Sequence, residues 1–175
     1  MSEKLSALLI HQVPEPLRSL RLALERQGVE TARARNCQEA WQILSGPNPP
    51  HLVFTDTAVP DGLWADVLAL AARAAQPVNV ILVARLVDTR LYVEAIEAGA
   101  FDFLAPPFTS TDLAHIVRSA AENVLGRRQA QGRADESVVG TLFPVVSKSA
   151  SASGKGRRSN TATPSPTPHP TTRFA

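Results

Sequence analysis

The sequence predicts an α/β protein, a doubly wound five-stranded parallel sheet with five helices in a three-layer sandwich. Two observations carry this. Short apolar runs such as Leu5 to Ile10 and Val78 to Val83 lack the alternation of half-exposed strands and read as strands covered on both faces. Each strand pattern is followed by apolar residues at helical spacing, and this β/α repeat occurs five times between residues 5 and 125. Crossovers of that length join parallel strands with right-handed connections.

Each element has its own signal. Leu5-Ser6-Ala7-Leu8-Leu9-Ile10 is the first strand. Leu17, Leu20, Leu22 and Leu24 supply the face of the first helix, which Gly28 stops. Val29 to Ala34 is a weaker second strand. Asn36 stands ready to cap the second helix, with Glu39 three residues on as its capping-box partner. Ala40, Trp41, Ile43 and Leu44 form that helix's apolar face, and Gly46-Pro47 ends it. His51 to Thr55 is the third strand, closed by Asp56. The turn Thr57 to Gly62 feeds a third helix with Leu63, Val67, Leu68, Leu70 and Ala71 inward. Val78 to Val83 is the most apolar strand, expected near the sheet centre. Asp88 caps a fourth helix carrying Leu91, Val93, Ala95 and Ile96 and ended by Gly99. Phe101 to Leu104 is the fifth strand, Pro106-Pro107 a rigid turn, and Thr109 to Leu125 the last helix, with Leu113, Ile116, Val117 and Ala120 inward.

Composition narrows the function classes. The chain is 44% hydrophobic and 19% charged, ordinary for a globular protein. Its net charge of +2 hides a division. Residues 127–175 carry eight Lys/Arg against Asp135 and Glu136, net +6, whereas residues 1–126 are net −4. The folded part therefore has no basic nucleic-acid footprint. Residues 127–175, rich in Ser, Thr and Pro, read as a disordered basic tail. Within it, Val138-Val139 and Leu142 to Val146 form an apolar island, either a sticky patch or a docking segment. Lys155, Arg157 and Arg158 read as a solvated basic linker.

No run approaches a membrane span, and Met1-Ser2-Glu3-Lys4 does not open a signal peptide. The single Cys37 suits a reducing cytoplasm and reads as a packed, inert thiol. Gly154-Lys155 lacks the flanking residues of a phosphate loop, and no nucleophile–base arrangement or multi-ligand metal cluster is present. The expectation is a non-enzyme.

Asp56 is the most informative residue. A carboxylate at the C-terminal end of a buried parallel strand stands where such sheets bind ligands. The surrounding stretch, Leu52-Val53-Phe54-Thr55-Asp56-Thr57-Ala58-Val59-Pro60-Asp61-Gly62, resembles the receiver domain of two-component response regulators, which shows a phosphorylatable Asp with Pro four residues later. Glu94 to Leu104 is similar to that family's fourth-helix to fifth-strand segment, and Pro107-Phe108 to the end of its Lys-Pro-Phe turn. The resemblance covers residues 5–125 and implies a flavodoxin-like strand order, 2-1-3-4-5.

The resemblance also implies a chemistry, and this chain departs from it. An acyl phosphate needs Mg²⁺ on acidic residues after strand one, a Ser/Thr after strand four and a lysine after strand five. Here those positions hold His11 and Gln12, Val83, and Pro106. Asp56 remains as the nominal phospho-acceptor, and Phe103 occupies the switch-aromatic position. No cofactor is expected, because the acidic Mg²⁺ ligands are missing. Phosphoryl transfer, which rests on positioning and charge stabilisation, should be slower by several orders of magnitude.

The reading is a phosphorelay signalling protein working as a phosphorylation-independent interaction module. Its partner would be a histidine kinase, another receiver or an output protein, met through the helix-four, strand-five, helix-five face, with homodimerisation there as a further possibility. Two alternatives stay open: a true phospho-acceptor whose missing charge a partner supplies, and a truncated remnant of a larger regulator. Asp56 itself is either an acceptor or a structural carboxylate capping a loop. His11 is a polar loop residue or a phosphate or metal contact. Asp61, Asp66 and Asp102 read as helix-start and surface carboxylates. Trp41 and Trp64 read as packing residues, with Trp64 bulky enough to close over Asp56.

Overall fold

The computed structural model describes residues 4–12 and 17–142, with side chains as far as residue 135. Five strands, β1 (Ser6–Ile10), β2 (Glu30–Ala34), β3 (Leu52–Asp56), β4 (Asn79–Val83) and β5 (Asp102–Leu104), alternate with α1 (Leu17–Arg26), α2 (Cys37–Leu44), α3 (Trp64–Ala72), α4 (Thr89–Glu97) and α5 (Ser110–Leu142). The sheet is wholly parallel in the order β2-β1-β3-β4-β5. The expected order is thus found, with β3 at the centre and β4 beside it. Both are buried at every position, which explains why they read as continuous apolar runs.

Side chains alternate across the sheet. Ala7, Leu9, Leu52, Phe54 and Ile81 pack under α1 and α5. Leu8, Ile10, Val53 and Val80 pack under α2 and α3. The cover of α4 is thinner, centred on Leu82, Ala95 and Ala100. In α1, Leu17, Leu20 and Leu24 form the buried stripe, whereas Leu22 falls on the outer face. In α4 only Ala95 is buried, and Tyr92, Val93 and Ile96 are exposed, so less of this helix faces the sheet than its apolar content suggests. Leu63 is likewise exposed, because it precedes α3 instead of lying on its inner face.

Helix ends follow their local chemistry. Asn36 accepts the Glu39 N–H at 2.8 Å, while the Glu39 carboxylate takes the Arg35 N–H at 2.9 Å instead of closing the box on Asn36. Asp88 accepts the Arg90 and Leu91 N–H groups. Thr109 and Asp112 bond reciprocally at the start of α5. Gly28, at φ 78°, ends α1 in the left-handed conformation that glycine adopts without strain.

The last helix departs from expectation. It runs to Leu142, so residue 127, read as the start of a disordered tail, lies inside it. Its continuation is tied to the base of the sheet. Arg128 donates from Nε to the Pro77 carbonyl (2.9 Å) and from Nη2 to the carbonyls of Pro49 and Pro50 (3.0 and 2.9 Å). Arg127 donates to Asn79 Oδ1 at 3.0 Å, and buried Asn79 in turn donates to the Ala120 carbonyl and to Asn123 Oδ1. One guanidinium thus satisfies three carbonyls just ahead of β3 and β4. Residues 143–175, including the rest of the apolar island, lie outside the described residues.

Candidate functional site

The C-terminal ends of the strands bring the predicted residues to one edge. Asp56 is the register partner of Val83, and Val83 of Leu104. Ile10 pairs with Thr55 one step earlier, so His11 follows at the same edge. Val83 is fully packed, whereas Pro106 is partly exposed beyond Leu104. Gln12 is exposed.

Asp56 is a buried carboxylate with both oxygens engaged. Oδ1 accepts the Thr57 N–H at 2.7 Å and the Thr57 hydroxyl at 3.3 Å. Oδ2 lies 3.5 Å from Arg85 Nη2, with the Asp56 side chain 6% and the Arg85 side chain 59% exposed. Burial of a charge demands such partners. The sequence reading missed Arg85. The available signal was a cation two residues past Val83, on a loop at the same sheet edge.

The segment after Asp56 is a small antiparallel hairpin, Ala58–Val59 against Gly62–Leu63, with the Trp64 N–H closing onto the Thr57 carbonyl. Asp61, expected to be a surface carboxylate, reaches across to the start of α2, where it accepts the Cys37 N–H at 2.7 Å and the Gln38 N–H at 3.1 Å. The Cys37 amide bond, aided by that of Gln38, holds Asp61 below the usual carboxylate range. Burial, then the charge of Asp61, pushes the Cys37 thiol up to about 11, so it stays protonated. Asp66 accepts the Leu63 N–H at 2.8 Å. Asp102 accepts the Phe103 N–H at 2.7 Å.

Phe103 is half-buried and meets Tyr92 of α4 edge-on, ring centroids 5.8 Å apart at 87°. Trp64 packs into the same cluster, around Leu82, Ala95 and Ala100. Trp41 carries the Arg73 guanidinium 4.6 Å above its ring. His11 is buried, donates its backbone N–H to the Ala34 carbonyl at 3.1 Å, and lines a cleft of about 310 Å³ against α1.

Among the described residues, no three His, Cys, Asp or Glu side chains converge to hold a metal ion. Among the described residues, the positions beside Asp56 offer an imidazole, an amide and a valine, a set that does not fit a magnesium site. Among those residues no helix is long and apolar enough to cross a membrane.

The response regulator receiver domain family matches residues 7–118. The response regulator protein PilR of Pseudomonas aeruginosa is 34% identical over 116 residues, covering 65% of this chain and 25% of PilR. The DNA-binding transcriptional regulator NtrC of Rhizobium meliloti is 30% identical over 132 residues, 75% of this chain and 26% of NtrC. The chain thus spans about a quarter of the length of these relatives. Among solved structures, a receiver domain from Clostridium thermocellum superimposes with a TM-score of 0.60 at 25% identity, covering 68% of this chain and 95% of that one. The receiver domain of a histidine kinase from Syntrophus aciditrophicus gives 0.57 at 29%, covering 68% and 91%.

Proposed function

Because this chain belongs to the response regulator receiver family, we propose that it acts as a non-catalytic protein-interaction module of a phosphorelay, whose output does not require phosphorylation of Asp56. The carrying observation is the edge around Asp56. The carboxylate faces Val83, which has no hydroxyl, Pro106 stands where the family's lysine would, and both Asp56 oxygens are taken up within the protein. A phosphoryl group would arrive without a metal cradle or an ammonium, and would have to break the bonds Asp56 already makes. His11, Gln12, Val83 and Pro106 are the degenerate pocket positions in this reading, and Asp56 is a structural carboxylate.

The docking surface would be the face of α4, β5 and α5. Leu86, Val87, Tyr92, Val93 and Ile96 are exposed on α4 and the loop before it, an apolar set suited to a protein partner. That partner would be a histidine kinase, another receiver, an output protein or a second copy of the chain, in the cytoplasm. Phe103, pinned by Tyr92, would be a fixed part of this face instead of a moving switch.

A specific observation favours one alternative, in which Asp56 does accept phosphate. Arg85 offers a positive charge in cis where the lysine is lost. Intact-mass spectrometry after incubation with acetyl phosphate and Mg²⁺, beside Asp56→Asn, separates the two. The interaction-module reading expects no adduct. An adduct that the substitution abolishes would replace it with the phospho-acceptor reading.

A further inference from the structure

We propose that Arg85 is a built-in counter-ion of Asp56 that ties the loop between β4 and α4, residues 84–88, to the end of β3 without a phosphoryl group. The proposal rests on the reading of Asp56 as a structural carboxylate. Thr57 occupies Oδ1, so Oδ2 is the remaining acceptor of a carboxylate that is almost wholly out of water, and Arg85 is the cation that meets it. The neighbouring backbone gives the pair its weight. Ala84 is buried and its N–H donates to the Leu104 carbonyl at 2.9 Å. Asp88 caps α4. Between these two anchors, among the described residues, the N–H groups of Arg85, Leu86 and Val87 make no backbone hydrogen bond, and the Arg85–Asp56 pair is the loop's polar tether to the sheet.

Leu86 and Val87, 79% and 78% exposed, ride on this tether. Their position is therefore set by an ion pair inside the protein. Arg85 is a positioning residue in this account. It holds the apolar loop through Asp56, and Asp56 holds it through Arg85.

The test is the set of backbone ¹⁵N order parameters for residues 85–88. Wild type and Arg85→Lys should show rigid values, about 0.85, and Asp56→Asn and Arg85→Gln should fall to about 0.6 or below. The double variant should match the singles, since each removes the same bond. Rescue by lysine marks the charge, not the bulk, as the cause. Singles that leave the loop as rigid as wild type, a wild-type loop already below about 0.6, or a lysine variant as mobile as the glutamine one would each overturn the proposal. The amides of β3 and β4 report in the same spectra that each variant is folded, and the Arg85 variants suffice if Asp56→Asn does not fold. The outcome is separable from phosphorylation. An acetyl phosphate adduct together with a rigid, charge-dependent loop would sink the interaction-module reading and keep the tether. No adduct together with a mobile loop would do the reverse.

Discussion

Val83 lies directly beside Asp56 in the parallel ladder between β4 and β3, so the β4 neighbour of the buried carboxylate is a side chain with no hydrogen to donate. Placing a hydroxyl there tests whether the edge retains receiver geometry. Val83→Thr alone should not confer labelling by acetyl phosphate, because the metal ligands and the ammonium are still missing. It should cost about 1–2 kcal/mol, the usual cost of a buried hydroxyl, unless that hydroxyl reaches Asp56. The combined variant His11→Asp, Gln12→Asp, Val83→Thr and Pro106→Lys should acquire a single phosphate adduct by intact mass. A folded combined variant with no adduct would show that the backbone at this edge has also drifted from a phosphorylatable form.

The two partners of the Asp56–Arg85 pair should differ in urea denaturation. Arg85 is mostly solvated, so Arg85→Ala should lose no more than about 1 kcal/mol. Asp56→Ala leaves the Thr57 N–H without its acceptor and should lose about 1–3 kcal/mol. An Arg85 substitution costing more than the Asp56 one would contradict the view that the carboxylate organises this edge.

At the opposite edge, Asn79 and Arg128 hold α5 to the base of the sheet. Asn79→Ala removes three side-chain hydrogen bonds at a buried position and should cost about 2–3 kcal/mol. Arg128→Ala should act more locally, releasing the helix beyond Gly126. The expected result is lower ellipticity at 222 nm with a small change in melting temperature. Unchanged ellipticity would mean that the helix extends on its own propensity.

The acid limb of stability should carry a contribution from Asp61. Its folded pKa is depressed, first by the Cys37 amide. The sign follows directly: the stabilisation is fully present above the ordinary carboxylate pKa of about 4 and is lost as pH falls through the lower, folded value. Asp112, depressed by the Thr109 amide and hydroxyl, adds in the same sense. Asp61→Asn should be less stable than wild type at pH 7, and its melting temperature should fall less between pH 7 and pH 3. Parallel profiles for the two proteins would remove Asp61 from this role.

Cys37 should behave as an unreactive thiol. With its pKa at about 11, alkylation at pH 8 should run about two orders of magnitude slower than in the unfolded chain, where the thiol titrates near 8.5. Equal rates folded and unfolded would place the thiol in a more polar setting than its neighbours Asp61 and Asp66 imply.

The sequence by itself determined the five β/α repeats, the parallel order reached through the family resemblance, and the position of Asp56 at a strand end. Those features rest on local signals: continuous apolar runs, helical spacing, and caps such as Asn36 and Asp88 that act within three residues of themselves. Only the tertiary structure decided what Asp56 meets and where α5 ends. Arg85 reaches Asp56 because β3 and β4 are neighbours in register, and Arg128 ties the continuation of α5 to carbonyls 78 and 79 residues earlier in the chain. The exposure of Val93 and Ile96 had the same origin, since a helix's apolar residues are buried only where another surface lies against them. Periodicity reports which residues share a face; which partner that face finds depends on how distant strands and helices pack.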